Sequence, residues 1–574
     1  AALNGMLSGS SVSNVVSGGI FTIPLMKKAG YGGIKAGAIE TMSSVNGQIM
    51  PPVMGAAAFL MVEYVGVPYS EVVRNAILPA TLSYIGLFYI VHLEALKLGM
   101  QPILMRHPRN LKDKAIRTGL GISGTIVVVG LLYYLLAGVK TAFGGAAAYV
   151  AGAVVAALYV GAAWMAAKCP DLPDDIDIEQ PRALETWPAV KAGLHFLLPI
   201  GMLIWCLMVE EMSPSLSAFW AIVALVGLML TQRPLIAAFR GMPAHGTWVT
   251  GFRDVVHGLA DGSRNMIGIG VATATAGVVV GAITLTGLGL RMTEFVEFVS
   301  QGNVIVMLLF IAFVCLILGL GVPTTANYVL VATLMAPVVV ELGAQAGLVI
   351  PLIAVHLFVF YYGIMGDITP PVGLASFAGA AIAKVNPIDV GIQGSVYAIR
   401  TVVLPFIWIF NPALLLINVH GWFEALVVAF ASTIASLLFA AATMNYMRTK
   451  CRWWEVLLLL AATFALFRPD WFADRIAPEY QDAPASRFHE VAAGLDEGDR
   501  LVFVIAGQTL EGEERNKTVA LRMGPKVEDA NPMVAARKRL AEAGINVSGM
   551  GEMLQVTSVR FGSTAAKARI EQGF

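Results

Sequence analysis

Oxygen-bearing side chains lie beside glycine and proline at several points inside long apolar runs of this chain. A hydroxyl or amide group at membrane depth is costly unless it has a partner. Hydroxyl, amide, carboxylate and backbone oxygens are the ligands that hard cations require. The pattern therefore predicts two groups of cation-binding residues. The first group is Ser10, Ser11, Asn14, Gly47, Gln48 and Pro51, and the second is Thr324, Thr325, Asn327, Gly366, Asp367, Thr369 and Pro370.

The alternative for the hydroxyl and amide residues is that they only cap helix ends inside the membrane. Capping does not explain why both groups accompany a helix break, so cation binding is favoured. Asp367 is an intramembrane carboxylate, which indicates a functional site by default, although an Asp can also stabilise a helix N-terminus. Its counterpart in the first group is the neutral Gln48, so we expect two cation sites of unequal strength, the second being tighter.

A heptapeptide that occurs twice lies at the centre of each group. Residues 47–53 read Gly-Gln-Ile-Met-Pro-Pro-Val and residues 366–372 read Gly-Asp-Ile-Thr-Pro-Pro-Val, so five of seven positions are identical. A Pro-Pro pair in an apolar run breaks a helix and leaves backbone carbonyls without helical partners. A duplicated broken helix indicates the binding site of a secondary transporter built from repeats.

Two further motif pairs occur in the same order. Residues 10–14, Ser-Ser-Val-Ser-Asn, match Thr-Thr-Ala-Asn at 324–327, and in both copies a proline follows the Asn by ten residues. Arg74 and Arg400 each precede a proline by five residues, and both are expected to be snorkelling anchors near a membrane face. Three ordered pairs predict an inverted-topology repeat, in which each half contains a hairpin, a broken helix and a following helix.

The composition is that of a polytopic membrane protein, since 57% of the 574 residues are hydrophobic and only 13% are charged. The formal net charge of +0 indicates no nucleic-acid partner. The four cysteines have no disulfide or zinc spacing. No HExxH, GxSxG or Walker A sequence occurs, so the chain is expected to be a non-enzyme without a cofactor, driven by an ion gradient.

Clusters of Lys and Arg predict how the segments cross the membrane. The basic loops at 97–117, 232–253 and 448–452 are expected to be cytoplasmic. Residues 8–26 are then expected to enter the membrane from the cytoplasmic side and to return to that side. Residues 303–342 are expected to enter from the outer face and to return to it. The predicted fold is an all-α polytopic membrane protein with inverted repeats, two re-entrant hairpins and two broken helices, plus a small soluble α+β module at the C-terminus.

Five regions follow from this pattern. They are the first repeat half, incomplete at its N-terminus, at 1–98; connecting transmembrane helices and cytoplasmic loops at 99–250; the second repeat half at 251–418; C-terminal transmembrane helices at 419–468; and the soluble module at 469–574. The chain is expected to be truncated at both ends, because the first half lacks counterparts of second-half segments and the last residues stop in mid-pattern.

A candidate substrate site lies in the long apolar segment near 255–290. Its residues are Arg264, Asn265, Thr273 and Thr275. An arginine there could bind a substrate carboxylate through two parallel hydrogen bonds. The competing interpretation is an interfacial ion pair with Asp261, three residues earlier, which is slightly favoured.

The runs at 9–15, 22–26, 47–59 and 321–328 resemble the large membrane subunit of the tripartite ATP-independent periplasmic (TRAP) transporters. The resemblance covers roughly residues 1–445 and is greatest to the fused form, in which a small four-helix subunit precedes the large one. Residues 554–574 resemble a strand-then-helix segment of a PDZ-like domain, although an unrelated α+β fold explains them equally well.

The TRAP resemblance implies an elevator-type importer of organic acid anions with Na⁺ as coupling ion, in the bacterial inner membrane. It also implies a periplasmic substrate-binding protein of the TAXI class, a small four-helix subunit or fused domain missing from this chain, and surrounding lipid. The substrate class would include dicarboxylates, keto acids and amino acids such as glutamate. Two alternatives stay open: a symporter of the same architecture that takes its substrate directly from solution, and a membrane-anchored receptor or scaffold for the C-terminal module.

Overall fold

We describe the fold from a computed structural model of the chain. The residues it describes are 9–51, 54–100, 147–169, 186–243, 246–320, 322, 324–346, 348–419, 421–473, 483–508, 514–527, 531–550, 553–561, 563, 565 and 570. Predictions that concern other residues, including most of the basic loop at 97–117, lie outside the described part of the chain.

The first half of the repeat contains a broken helix flanked by two long helices. Its helices are α1 (Ser11–Ala29), α2 (Gly33–Gly47), α3 (Ala56–Val65) and α4 (Tyr69–Lys97). Helix α1 begins at the cap residue Ser10 and ends at Gly30, whose φ of 114° only glycine adopts readily. The first Pro-Pro motif falls between α2 and α3, as the sequence predicts, and Pro79 lies inside α4.

The middle of the chain is a series of apolar helices. They are α5 (Ala147–Ala167), α6 (Thr186–Gly193), α7 (Leu197–Met208), α8 (Pro214–Phe239), α9 (Thr247–Thr286) and α10 (Leu288–Ser300). Helix α9 is the longest of the described helices, with 40 residues.

The second half repeats the order of the first. Its helices are α11 (Val304–Leu318), α12 (Thr324–Gln345), α13 (Leu352–Met365), α14 (Leu374–Ala383) and α15 (Pro387–Phe410). The segment 303–342, predicted as a hairpin, contains α11 and most of α12, and the second Pro-Pro motif separates α13 from α14. Helices α12 and α15 carry internal prolines, Pro337 and Pro405, at positions that match Pro24 in α1 and Pro79 in α4.

Six described helices are long and apolar enough to cross a membrane, and the segments 294–300 and 304–318, which meet at a bend of 118°, are so only when taken together. Helices α16 (Trp422–Thr443) and α17 (Trp453–Phe467) follow the second repeat half, and the short α18 (Asp470–Ala473) leads to the soluble module. The predicted class of a mostly helical, polytopic membrane protein is confirmed.

The two repeat halves are interlocked. Helix α14 of the second half packs against α1 and α2 of the first, and α3 of the first half packs against α12 and α13 of the second. Their shared core includes Met42, Val45, Ile49, Phe358 and Ile368, all of which are almost completely buried. The two breaks are thereby brought into one region.

The C-terminal module contains helices and two separate antiparallel hairpins. Its elements are α19 (Phe488–Gly494), β1 (Arg500–Gln508), β2 (Glu514–Arg522), α20 (Pro532–Ala543), β3 (Ile545–Met550) and β4 (Met553–Val559). The predicted strand at 554–559 is confirmed, and most of the helix predicted after it lies outside the described residues. Strand β2 also packs against α12.

Arg539 holds the helices and loops of this module together. Its side chain is fully buried, and its guanidinium donates to the carbonyls of Ala492, Ala493 and Leu495 at 2.8, 3.1 and 2.8 Å. It also donates to the Gly524 carbonyl at 2.7 Å. A cation at the C-terminal end of α19 both satisfies unpaired carbonyls and complements the helix dipole.

We expect Arg539→Leu to unfold the module while the membrane domain stays folded. Each buried carbonyl left without a donor costs about 1–3 kcal/mol, and several are lost together. The measurement is the rate of limited proteolysis of the C-terminal region in the full chain. Arg537→Leu is the matched control, because Arg537 lies exposed on the same helix; equal sensitivity of the two variants would contradict the role given to Arg539.

Candidate functional site

Asp367 is at the centre of the candidate site. It lies in the break that follows α13, and only 6% of its surface is exposed. The Ser11 hydroxyl donates to Asp367 Oδ2 at 2.5 Å, and the Gln48 amide donates to the same oxygen at 3.3 Å. Two polar groups of the first repeat half therefore converge on one carboxylate of the second.

This arrangement extends the pairing expected from the sequence. The motifs predict that each hairpin tip faces the broken helix of its own half, giving two separate sites. Ser11 and Gln48 of the first half do lie together, and the packing of α14 against α1 and α2 brings Asp367 of the second break to both of them. Gln48 and Asp367, expected to belong to two sites of unequal strength, are parts of one site.

Several backbone carbonyls at the breaks are bound within the chain. The Gln48 carbonyl accepts from the Gly55 amide at 2.7 Å, and the Asp367 carbonyl accepts from the Ala375 amide at 3.1 Å. The Ile368 carbonyl accepts from the Ser376 hydroxyl at 3.1 Å. Each of these carbonyls keeps a second lone pair, so cation binding by the main chain at the breaks stays a prediction.

The oxygens at this position suit a small hard cation. Gln48 Oε1 is buried and has no hydrogen-bond partner among the described residues. No basic side chain of the described residues forms an ion pair with Asp367. A buried carboxylate requires a neutralising charge or a proton, and a monovalent cation beside the Asp367 carboxylate and the Gln48 amide oxygen would supply it. No cluster of three His, Cys, Asp or Glu residues that could hold a metal is found in the described ranges.

The other predicted residues of the first group lie around this carboxylate. Asn14 is fully buried and donates to the Ser44 carbonyl in α2 at 3.4 Å. Gly47 ends α2, and Pro51 is buried in the break. Ser10 is exposed and accepts from the Ser13 amide at 3.4 Å, so it performs the capping role that was the alternative for this group.

The second hairpin tip is packed against the second broken helix. Asn327 is 1% exposed and donates to the Cys315 carbonyl of α11 at 3.3 Å. Its amide nitrogen also lies against two glycines, since a methyl group added at Gly319 or Gly363 would fall 2.8 or 3.2 Å from it. Asn327 Oδ1 is buried without a hydrogen-bond partner among the described residues, and its role in binding a second cation stays a prediction.

The remaining residues of the second group line the same region. Thr324 and Thr325 begin α12, with Thr325 buried. The Thr369 hydroxyl donates to the Met365 carbonyl at 2.8 Å, and Pro370 is half-buried in the break. The Gly366 backbone lies directly against that of Gly319, so the second tip and the second break are in contact.

The predicted substrate residues all lie on α9. Arg264 pairs with Asp261 at 3.6 Å, and 79% of its side chain is exposed, which is the ion pair that the sequence slightly favoured. The Thr275 hydroxyl donates to the Val271 carbonyl of its own helix at 2.8 Å. The side chains of Asn265 and Thr273 lie outside the described part of the structure, and substrate binding by these four residues stays a prediction.

Sequence reasoning missed the buried carboxyl group of Glu40 and misplaced Arg400. Glu40 in α2 is 3% exposed and was detectable by the rule that singled out Asp367, because it is an acidic residue inside a small-residue apolar run. Arg400 is also 3% exposed and lies in the middle of α15. Its expected role as a snorkelling anchor is therefore wrong. The guanidinium stem occupies the space left by Gly86, where a methyl group would fall 2.7 Å from Arg400 Cδ.

Two broken helices that meet around a buried carboxylate define a secondary transporter of the repeat-built class. The family model described as "Tripartite ATP-independent periplasmic transporter, DctM component" matches residues 1–151 and 145–423, and the chain belongs to this family. Residues 425–574 match a second model, a domain of unknown function named DUF3394. No curated protein matches this chain.

Membership of this family gives the general role of the chain. The chain is the large membrane component of a TRAP-type secondary transporter, a multi-pass membrane protein and not an enzyme. Components of this family work with a periplasmic binding protein and a small membrane subunit. The second family match begins within α16, so it covers the last membrane helices as well as the soluble module.

Proposed function

We propose that this protein imports an organic acid anion across the bacterial inner membrane in symport with Na⁺, and that a periplasmic binding protein delivers the anion. The observation that carries the proposal is the buried Asp367 carboxylate, which receives hydrogen bonds from the first tip and the first break and pairs with no basic side chain of the described residues. An intramembrane carboxylate of this kind is suited to binding and carrying a cation.

An elevator mechanism is supported by the way the site is built. The tips and breaks of both repeat halves pack into one unit through α1, α2, α12, α13 and α14. A ligand bound there contacts both halves at once. Movement of the unit as one body would carry the site across the membrane without taking it apart, which agrees with rigid-body alternating access in repeat-built transporters.

The substrate class and the partners are proposed from the family resemblance. We infer a dicarboxylate, a keto acid or an amino acid such as glutamate, presented by a TAXI-type binding protein. We also infer a small four-helix subunit, either separate or fused ahead of the large one. Arg264 remains the candidate group for the substrate carboxylate.

The test is uptake into proteoliposomes that contain the complete membrane protein and its binding protein. A panel of labelled dicarboxylates, keto acids and amino acids is supplied with an inward Na⁺ gradient, with no gradient, and with K⁺ in place of Na⁺. Uptake that needs Na⁺ supports the proposal, whereas equal uptake in all three conditions contradicts it. Omitting the binding protein distinguishes the alternative symporter, which would take up its substrate without it.

Adjacent serines at the first tip provide a sharper comparison. We expect Ser11→Ala to raise the Na⁺ concentration required for half-maximal uptake by roughly tenfold or more, because a hydrogen bond to a charged group contributes about 1.5–3 kcal/mol. Ser10→Ala removes a helix cap worth about 1 kcal/mol and is expected to lower thermal stability with the Na⁺ requirement unchanged. Equal Na⁺ requirements in the two variants would contradict the placement of Ser11 at the cation.

A further inference from the structure

Glu40 is a second buried carboxyl group, separate from the Asp367 site. It lies in α2 and is 3% exposed. Its Oε2 is 2.7 Å from the Thr22 hydroxyl of α1, and its Oε1 is buried with no hydrogen bond of acceptable geometry among the described residues. The position has no counterpart in the second half, because the residue eight before Asp367 is Val359, as Glu40 is eight before Gln48.

The hydrogen bonds around Thr22 accommodate a proton on Glu40. The Thr22 hydroxyl is within donating distance of Glu40 Oε2, at 2.7 Å, and of the Gly18 carbonyl, four residues earlier in α1, at 3.1 Å. A threonine hydroxyl has a single hydrogen, and in helices it commonly donates to the carbonyl four residues before it. Both contacts are hydrogen bonds if Glu40 is protonated and donates to Thr22, while Thr22 donates to Gly18.

The charges on the helices that pack against α2 do not neutralise Glu40. Lys27 on α1 donates to the Ala383 carbonyl at 3.0 Å, and Lys35 on α2 pairs with Glu94 of α4. Tyr84 on α4 donates to the Ser43 carbonyl at 2.8 Å. On α15, Tyr397 is buried and Arg400 packs beside Gly86, while α14 itself contains no ionisable residue. In the described part of the chain no ion pair includes Glu40.

An ionised carboxylate in this setting would be a buried charge without a partner, which proteins avoid by binding a proton or a cation. We propose that Glu40 is a proton-binding site of the first repeat half, occupied in this conformation, and that its proton is taken up and released during transport. The proton adds to Oε2 from water and returns to water when Glu40 is exposed. The statement about transport rests on the proposed function, whereas the presence of the bound proton does not.

Infrared spectroscopy of the reconstituted full chain at neutral pH tests the bound proton. A protonated carboxyl group has a C=O stretching band apart from that of a carboxylate. We expect the band in the wild type and in Asp367→Asn, and its loss in Glu40→Gln, which has the shape of the neutral acid. A wild type without the band, or a Glu40→Gln variant that keeps all of it, would overturn the proposal.

Thr22→Val provides an independent check that does not alter the acid. It removes the hydroxyl to which Glu40 donates, so we expect the band to persist at a shifted frequency. An unshifted band would show that Glu40 does not donate to Thr22. Because Gln matches the neutral acid in size and hydrogen bonding, Glu40→Gln is expected to keep the melting temperature of the wild type; a large fall would show that Glu40 is needed as an anion.

Uptake at equal Na⁺ on both sides tests whether the proton takes part in transport. We expect an inward proton gradient to accelerate uptake by the wild type and to have no effect on Glu40→Gln. If Na⁺ drives uptake but a proton gradient has no effect on the wild type, the transport part of the proposal fails alone. If Na⁺ drives no uptake, the proposed function fails, and the infrared result still decides whether Glu40 binds a proton.

Discussion

Replacing Asp367 by asparagine is expected to abolish Na⁺-driven uptake while leaving the protein folded. Asparagine keeps the size of the side chain and can still accept from Ser11 and Gln48, the two groups that donate to Asp367 Oδ2. It removes the negative charge that would neutralise the cation. Leaving a buried charge without its partner costs about 3–5 kcal/mol, which corresponds to a loss of roughly a hundredfold to several thousandfold in cation affinity.

The measurement is initial uptake across a range of Na⁺ concentrations in proteoliposomes, with thermal unfolding of the purified protein recorded in parallel. Asp389→Asn is the matched control, because Asp389 is an exposed carboxylate in the first turn of α15 in the same repeat half. We expect Asp389→Asn to transport as the wild type does. Uptake with an unchanged Na⁺ requirement in Asp367→Asn would remove Asp367 from the cation site.

The sequence was sufficient to predict the architecture, because Pro-Pro breaks and long apolar runs act locally. Helices α2 and α3 flank the break at 48–55, and α13 and α14 flank the break at 366–373, as the doubled heptapeptide predicts. Proline removes a helical hydrogen bond wherever it occurs inside a helix, so this feature needs no knowledge of the neighbouring helices.

The grouping of site residues was not predictable in the same way, since it depends on how the repeat halves pack. Motif order along the chain predicts that Ser11 faces its own broken helix, but only the packing of α14 against α1 and α2 brings Asp367 of the other half to both. The burial of Arg400 was not predictable for the same reason. An arginine followed by an apolar run predicts an anchor at the membrane surface, whereas the gap at Gly86 in α4 allows it to be buried.

Gly366→Ala is expected to cause a large loss of stability at the second break. A methyl group there would fall 2.5, 2.7 and 2.9 Å from the carbonyl oxygen, carbonyl carbon and Cα of Gly319. These are backbone atoms, so no side-chain rotation can relieve the overlap. Overpacking of an interior costs about 1–3 kcal/mol and sometimes more, and we expect the upper part of this range. Thermal unfolding of the purified protein measures it.

Backbone conformation does not explain the requirement for glycine at this position, which makes the test specific. Gly366 has φ −56° and ψ −31°, a helical conformation in which alanine is ordinarily more stable than glycine by about 1 kcal/mol. Any loss in Gly366→Ala therefore measures the contact between the second hairpin tip and the second break.

Two further alanine substitutions make the comparison quantitative. At Gly363 the nearest atom to an added methyl is the Asn327 side-chain nitrogen at 3.2 Å, and at Gly55 in the first break the nearest atoms are those of Gln48 at 3.6 Å. We expect a moderate effect at Gly363, because a side chain can shift by a few tenths of an ångström, and little effect at Gly55. A Gly366→Ala variant as stable as Gly55→Ala would mean that the tip and the break are not in contact, and Asn327 would then lose its place beside the second break.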